Sequence, residues 1–354
     1  MEMSFLHAIV LCVLFVLCQG GCASSGISPG VWPAHDYSVI DTGLEQSTSY
    51  GPGTLGAWLD DVHLLVNVVQ EIPGAQKKWL PSVVIFDTGT QKSSEIASDT
   101  YMYCFHRESR TASITEGQAD VQKFIDRTSR FVKLDLQNKL SAVTEQPPMD
   151  MFCHDNSPQN PGRLQYFLRP GDGYVDYGKT AGGASLAPAI LYRPDKEPVE
   201  LSLRGGALYN VRFVPHLDMY QVDGGNYRAN EKNEFKLMTR DGRIVKLPRP
   251  DDLIDAVYPP AGRGSDALGE AVYRRDLIMR DGVVLAKTGS WQNKPGMYFI
   301  KNGQTSRFDG ADGYVADRFL PSPDGCKLAY LYMKNYNFGT KKTVKIADLC
   351  TTAQ

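Results

Sequence analysis

The sequence predicts an all-β fold, namely a β-propeller of six or seven blades with short helical insertions. Short runs rich in β-branched and aromatic residues alternate with Gly, Asp, Asn and Pro along most of the 354 residues, a pattern typical of strands joined by turns. Asp-Gly or Asn-Gly pairs, which favour tight hairpin turns, separate several of these runs at residues 241–242, 281–282, 302–303 and 324–325. Spacings of about 40 to 45 residues between similar segments are typical of propeller blades.

The chain begins with a predicted export signal over residues 1–22. Its apolar run, residues 5–17, is too short to cross a bilayer but has the length of a signal peptide. Small residues surround Cys22, and the glycine directly before it resembles the bacterial lipoprotein signal, although Gln19 stands where an aliphatic residue is usual. The resemblance implies lipid on Cys22. The alternatives are ordinary cleavage near Ala23 and an uncleaved anchor.

A lipid on Cys22 implies a periplasmic protein held to a membrane, and Ala23 directly after it favours the outer membrane by resemblance to Gram-negative lipoproteins. Ordinary cleavage would instead leave a soluble periplasmic protein. Residues 23–54, rich in Gly, Ser and Pro, are predicted to be a flexible tether. The propeller domain is predicted over residues 55–350, and residues 351–354 are a C-terminal tail.

The composition excludes two classes of partner. The formal net charge is −2 and no run of like charges occurs, so no nucleic-acid partner is expected. No apolar stretch of about 18 residues follows the signal, so the mature chain is not expected to span a membrane. The only membrane contact predicted is the N-terminal lipid.

The β-rich runs predict the strands of the domain in order. They cover residues 62–69, 82–87, 101–106, 131–136, 164–168, 189–192, 199–203, 211–214, 235–239, 243–247, 276–279, 283–287 and 297–300, followed by a hairpin over 326–350. Only residues 119–127 and 251–257 look helical, and both are predicted to be insertions between blades.

Similar segments recur at the spacing of a blade. Residues 237–245 read LMTRDGRIV and residues 277–285 read LIMRDGVVL, so that Arg240 and Arg280 are 40 residues apart. Asp281 is 43 residues before Asp324, the aspartate of the next such turn. These spacings indicate propeller blades. The alternative is two unrelated hairpins that share a common turn.

A family resemblance rests on the last unit. Residues 319–330 read FLPSPDGCKLAY and residues 343–349 read TVKIADL. A Ser-Pro-Asp-Gly turn, a Lys-Leu-Ala-aromatic strand and a next strand ending in Asp-Leu resemble the blade repeat of TolB-type propellers, and residues 83–89 (VVIFDTG) resemble the outer end of a blade. The clear match covers about 30 residues, and blades of about 45 residues predict six or seven of them, with seven preferred.

Four cysteines remain after the signal and Cys22 are set aside, an even number that suits an oxidising compartment. If residues 327–333 and 343–349 are antiparallel strands around a tip at Phe338, Cys326 lies opposite Cys350 within disulfide reach. That pairing leaves Cys104 to Cys153.

Three possibilities remain for the second cysteine pair. Cys104 and Cys153 lie close in sequence to His106 and His154, which together form a possible tetrahedral zinc set. The spacers typical of zinc motifs are absent, so a disulfide is the simpler prediction, with free thiols as the third possibility. We therefore predict no bound metal and no cofactor.

No motif indicates catalysis. Ser185 lies in a segment that lacks the last glycine of a nucleophile elbow, and no histidine pair has the spacing of a helical zinc site. Asp309, Asp312 and Asp317 offer oxygen ligands for calcium, but their spacing does not match an EF-hand loop. They are predicted to be ordinary turn aspartates, and the same holds for Asp172.

The leading functional hypothesis is therefore a non-catalytic module that binds an envelope or toxin protein. Aromatic residues near one hairpin tip suit a protein interface, with packing between blades as the alternative for Tyr330, Tyr332, Tyr336 and Phe338. A narrower version, from similarity to some exported lipoproteins, is an immunity protein against a type VI secretion toxin such as a lipase. The rival class is a propeller hydrolase or lyase that uses carboxylates of the central channel.

Overall fold

Strands dominate the computed structural model, which describes residues 37–47, 55–71, 79–107, 109–116, 130–135, 139–143, 163–169, 171–181, 184–185, 189–201, 207–225, 234–245, 273–288, 296–302, 304–309, 314–333 and 341–352. These residues lie in one compact unit, residues 34–354. The one helical element among them is a single 3-10 turn, Pro215–Leu217. No helix in this described part is long and apolar enough to cross a membrane.

The first strand, β1 (Tyr37–Ser47), pairs far along the chain, and the next strands form sheets in succession. Sheet 1 consists of β2 (Gly56–Trp58), β3 (His63–Glu71), β4 (Trp79–Asp87) and β5 (Lys92–Ser98). Sheet 2 consists of β6 (Thr100–His106), β7 (Thr111–Glu116), β8 (Arg130–Leu134) and β9 (Leu140–Ala142). Sheet 3 consists of β10 (Arg163–Phe167), β11 (Tyr174–Ala181), β12 (Ala184–Ser185), which pairs only with β11, β13 (Ala189–Tyr192) and β14 (Val199–Leu201).

Three further sheets complete the set of six that the described residues form. Sheet 4 consists of β15 (Ala207–Val214), β16 (Met219–Gly225), β17 (Glu234–Thr239) and β18 (Ile244–Val245). Sheet 5 consists of β19 (Tyr273–Ile278), β20 (Val283–Thr288), β21 (Gly296–Lys301) and β22 (Gln304–Asp309). Sheet 6 consists of β23 (Tyr314–Pro321), β24 (Lys327–Met333), β25 (Lys341–Thr352) and β1. Antiparallel sheets of four successive strands are the architecture of propeller blades.

The N-terminal strand corrects the predicted domain limits. β1 runs antiparallel to β25, with Tyr37 opposite Thr352 and Ser47 opposite Lys341, and so forms the outer edge of sheet 6. Residues 37–47 therefore belong to the domain and not to the predicted tether. Residues 351–352, predicted to be tail, are the end of β25. The register of β1 shifts between residues 41 and 45, where Gly43 has φ 66°, and this irregularity hides the strand pattern in the sequence.

Of the two spacings predicted to be blade repeats, only the one from Asp281 to Asp324 relates equivalent positions in two sheets. Residues 237–245 form the hairpin between the third and fourth strands of sheet 4, whereas residues 277–285 form the hairpin between the first and second strands of sheet 5. The 40-residue spacing thus relates two hairpins with a common turn and is not a blade repeat. Asp281 and Asp324, in contrast, both follow the first strand of a sheet, so their 43-residue spacing is the distance from one sheet to the next. The two segments predicted to be helical lie outside the described residues.

The hydrophobic core lies between the sheets. Alternate residues of β3 and β4 point to opposite faces: Leu64 and Phe86 pack against sheet 6, whereas Leu65 and Ile85 pack against sheet 2. Similar clusters join sheets 5 and 6, sheets 3 and 4, and sheets 4 and 5. Among the described residues, apolar clusters therefore join the sheets in the order 3, 4, 5, 6, 1 and 2. A sheet that packs against two neighbours has apolar residues on both faces.

The disulfide predicted from the last hairpin is present. Cys326 and Cys350 are bonded, with their Cα atoms 5.1 Å apart, and Tyr330 faces Lys345 in the β24–β25 register. The bond ties the start of β24 to the end of β25. The second predicted pair is not tested, because Cys153 and the side chain of Cys104 lie outside the described residues.

Candidate functional site

Turns from several sheets contact one another at one end of the sheets. The Arg280 amide in sheet 5 donates to the Gly325 carbonyl in sheet 6 at 3.0 Å, and the Asp324 amide in sheet 6 donates to the Asp61 carboxylate in sheet 1 at 2.8 Å. We name this surface the turn face. It comprises residues 59–62, 169, 171–173, 215–218, 239–243, 279–282 and 322–326.

The Ser-Pro-Asp-Gly motif builds the part of the turn face that joins sheets 6 and 1. The buried Ser322 hydroxyl donates to the Asp324 carboxylate at 2.6 Å and accepts from the Lys327 amide at 2.8 Å. Asp324 also accepts from the Cys326 amide at 3.0 Å. The Lys327 ammonium then donates to the Asp61 carbonyl across the sheet boundary at 3.0 Å. The motif is therefore a turn held by its own side-chain hydrogen bonds. Its Asp324 amide and Lys327 ammonium bind Asp61 of the neighbouring sheet.

A buried carboxylate joins sheets 3 and 4. Asp172 accepts two hydrogen bonds from the Arg240 guanidinium, at 2.8 and 2.9 Å, and one from the Tyr220 hydroxyl at 2.7 Å. The Tyr220 oxygen in turn accepts from the Arg169 amide at 2.8 Å. Burial, reinforced by the adjacent Asp172, raises the pKa of Tyr220, which stays a donor. Asp172 lies in a turn as predicted, but it is buried and links two sheets, which the sequence did not indicate.

Apolar and charged side chains remain accessible on this otherwise fixed surface. Three large hydrophobic residues are exposed among those described, and two of them, Val62 and Leu217, lie on the turn face, 38% and 37% exposed. The Arg280 side chain is 52% exposed and its nearest acidic group is the adjacent Asp281. The Lys301 ammonium, 3.0 Å away, lowers the pKa of Asp281. Arginine is enriched at protein interfaces, and the buried centre of an interface is apolar.

The arginine next to Leu217 is held in place. The Arg169 guanidinium lies 4.4 Å from the centre of the Phe213 ring, a cation–π arrangement. It is also 3.6 Å from a carboxylate oxygen of Asp218, and the Arg240 guanidinium is 3.7 Å from the same oxygen. Asp218, which follows Leu217 in the chain, therefore lies between two arginines of neighbouring turns.

Asp309 is predicted to be a turn aspartate, but it is the last residue of β22. Asp309 accepts from the Tyr330 hydroxyl at 2.5 Å and pairs with the Lys345 ammonium at 3.0 Å. Burial, followed by the charge of Asp309, raises the pKa of Tyr330. Asp312 and the side chain of Asp317 lie outside the described residues. Within the described part, no group of three His, Cys, Asp or Glu side chains is arranged to hold a metal.

Two of the four aromatic residues proposed for an interface pack between blades. Tyr330 is fully buried and Tyr332 packs against the same core cluster between sheets 5 and 6. The Lys345 ammonium lies 3.6 Å from the centre of the Tyr332 ring. The packing alternative therefore holds for this pair, whereas Tyr336 and Phe338 lie outside the described residues.

The remaining predicted site residues give little further geometry. The His106 Nδ1 atom lies 2.7 Å from the Ser109 hydroxyl. Cys22, His154 and the side chain of Ser185 lie outside the described residues. Lipidation of Cys22 therefore stays a prediction, and the zinc and nucleophile alternatives, which the sequence does not favour, are not tested.

Neither protein-family models nor curated proteins give a match to this chain. Similar solved structures include an acylaminoacyl peptidase of Pyrococcus horikoshii, with 10% identity, a TM-score of 0.49, and coverage of 88% of this chain and 54% of that one. The β-propeller domain of the Trilobed protease of Pyrococcus furiosus has 9% identity, a TM-score of 0.33, and coverage of 82% and 80%. TolB of Acinetobacter baumannii has 12% identity, a TM-score of 0.31, and coverage of 82% and 67%. The chain spans about half the length of the peptidase.

Proposed function

We propose that the chain is a lipid-anchored periplasmic β-propeller of six blades that binds another cell-envelope protein without catalysis. The turn face is the observation that carries this proposal. Its turns are fixed to one another by hydrogen bonds and ion pairs, while Val62, Leu217 and Arg280 stay exposed. A surface that is ordered beforehand loses little conformational entropy on binding, and such a mixture of residues suits a protein partner.

The order of the sheets supports six blades and a closed ring. The described strands form six sheets in chain order, and β1 supplies the last strand of sheet 6 from the opposite end of the chain. A ring assembled in this way protects the sheet edges, which suits an exported all-β protein. A seventh blade has no strands in the described part of the chain.

The experiment for the turn face compares two exposed leucines. Leu217→Glu is expected to weaken binding of the envelope partner at least about tenfold, since a buried charge at an interface costs more than 1.4 kcal/mol. Leu80, 37% exposed on β4 and away from the turn face, provides the matched control: Leu80→Glu should bind as the parent does. The measurement is affinity for the partner captured by a photoreactive residue at position 217, with unfolding midpoints recorded for both variants.

Three outcomes would contradict the proposal. Equal affinities of Leu217→Glu and Leu80→Glu for the partner would show that the turn face is not the binding surface. If the photoreactive residue at position 217 crosslinked to no protein in cells, binding through the turn face would be contradicted. Turnover of a substrate by the purified protein would favour the hydrolase or lyase. Protection of cells from a secreted toxin would instead identify the partner as that toxin and the protein as its immunity protein.

The proposed location is tested separately at Cys22. The Cys326–Cys350 disulfide supports an oxidising compartment, and several acyl chains on Cys22 would give effectively permanent membrane attachment. Cys22→Ser is therefore expected to move the mature protein from the membrane to the soluble periplasmic fraction, or to block signal cleavage. The intact mass of the mature N-terminus checks the lipid, and an unmodified N-terminus in the parent protein would contradict lipidation.

A further inference from the structure

A histidine of sheet 4 lies against the turn of sheet 6. His216 is in the 3-10 turn Pro215–Leu217 between β15 and β16, and its ring covers Gly325. A Cβ atom at position 325 would lie 2.5 Å from the His216 Nδ1 atom and 2.8 Å from its Cγ atom. Gly325 also has φ +73°, so both the close contact and the backbone require glycine.

The imidazole makes no compensating hydrogen bond. Both ring nitrogens of His216 are buried and without a partner among the described residues, although a neutral imidazole offers one donor and one acceptor. The backbone of Met279 is near enough to favour the protonated ring without reaching hydrogen-bond geometry. A buried donor or acceptor without a hydrogen-bond partner lowers the stability of the folded state. The contact between His216 and Gly325 is therefore less stable than the other contacts of the turn face.

The charged groups around the ring come from each neighbouring turn. Asp324 of sheet 6 and Arg280 of sheet 5 face His216. The Asp324 carboxylate already accepts hydrogen bonds within its own turn. On the same turn as His216, Asp218 is directed to Arg169 and Arg240. Burial lowers the pKa of His216, Arg280 adds to this, and Asp324 and the Met279 backbone oppose it.

We propose that His216 is a proton-controlled latch that opens the junction of sheets 4, 5 and 6 on the turn face in mild acid. Protonation places a positive charge beside Arg280, and neither ring N–H has an acceptor in hydrogen-bond geometry among the described residues. The charge is relieved when the ring leaves Gly325 for water. The turn Pro215–Leu217 then moves with it, and the hydrogen bond between the Arg280 amide and the Gly325 carbonyl becomes accessible to water. This inference goes beyond the proposed function, because it concerns the free protein and holds with or without a partner.

The direction of the pH effect follows from linkage. The closed state binds a proton less readily than an exposed imidazole, whose pKa is about 6.5. Opening is therefore constant above that value, increases as the pH falls through about 6.5, and levels off below the lower pKa of the closed state.

Amide hydrogen exchange measures this opening directly. The reporters are the Arg280 amide, which donates to the Gly325 carbonyl, and the Asp218 amide, which donates to the Pro215 carbonyl at 3.1 Å. After correction for intrinsic rates, the opening constant should rise between pH 7.5 and pH 5, by about tenfold for each unit by which the closed state lowers the pKa. The Leu134 amide, which donates to the Arg110 carbonyl in sheet 2 at 2.8 Å, should not change.

Two substitutions distinguish the effect of protonating His216 from the effect of protonating other histidines. His216→Phe keeps a ring on Gly325 without a titrating group and should abolish the pH dependence at both reporters. His63→Gln is the matched control, because His63 is a partly exposed histidine at the same end of sheet 1, with its Nδ1 atom 2.8 Å from Asp60. That variant should retain the pH dependence.

Either of two results would contradict the proposed role of His216. One is a pH dependence that persists in His216→Phe. The other is an NMR titration of His216 in the native parent protein with a pKa at or above 6.5. The second measurement needs no variant, so it decides the matter if His216→Phe does not fold.

Discussion

A variant that begins at residue 48 is expected to lose cooperative unfolding, whereas a variant that begins at residue 34 is expected to keep it. The shorter variant lacks β1, which is the outer strand of sheet 6. Without it, β25 presents an unpaired edge. Two inter-sheet cores lose side chains at once, because Ile40 and Leu44 pack between sheets 6 and 1, while Tyr37 and Val39 pack between sheets 5 and 6.

The expected loss is comparable with the whole stability of a domain. Each of the four partly buried side chains contributes about 1 kcal/mol, roughly half the value for full burial. The buried Gln46 side chain adds hydrogen bonds to the carbonyls of Leu55 and Asn67 in sheet 1, at 2.9 and 2.8 Å, each contributing about 1 kcal/mol. With the backbone bonds of β1, the sum approaches the 5–15 kcal/mol or so by which domains are stable.

Denaturant unfolding followed by fluorescence and circular dichroism checks this expectation. Both variants lack residues 1–33, so the comparison isolates β1 and the short segment before it. A synthetic peptide of residues 34–47 should restore cooperative unfolding to the shorter variant, since it supplies the missing strand. An unchanged midpoint in the variant that begins at residue 48 would show that sheet 6 does not need β1.

Continuous runs of apolar and aromatic residues are the strands that the sequence predicts most easily. Residues 189–192 (AILY) are predicted to be a strand and form β13, because all four residues are apolar or aromatic. The outer strand β5 (Lys92–Ser98) was missed, since most of its residues are exposed and carry no apolar pattern. Outer strands pack little of their surface, so hydrophobic periodicity does not mark them.

Contacts between sheets were harder to predict than contacts within a hairpin. Cys326 and Cys350 belong to one hairpin, so strand geometry alone places them together. Asp172 and Arg240 are 68 residues apart and in different sheets, and their pairing depends on how two sheets pack. The glycine at 325 is explained in the sequence by its turn, but the structure shows a second reason, the ring of His216. Sequence alone thus reaches the turns of the candidate site but not the side chains that join them.

Asp172→Ala is expected to destabilise the protein by about 3 kcal/mol, because it leaves the Tyr220 hydroxyl and the Arg240 guanidinium without their acceptor. The figure is at the lower end for a broken buried pair, since the Arg240 side chain is 42% exposed and can turn to water.

The unfolding free energy from denaturant titration measures this effect. Asp241→Ala is the matched control, because Asp241 is an exposed aspartate directly after Arg240. It accepts a hydrogen bond from the Thr239 hydroxyl at the surface, so its midpoint should fall much less than that of Asp172→Ala. Combining Asp172→Ala with Arg240→Ala should destabilise the protein less than the sum of the two single changes, since both remove the same ion pair. Strictly additive effects, or equal midpoints for Asp172→Ala and Asp241→Ala, would show that sheets 3 and 4 are held together by their apolar cluster without help from the carboxylate.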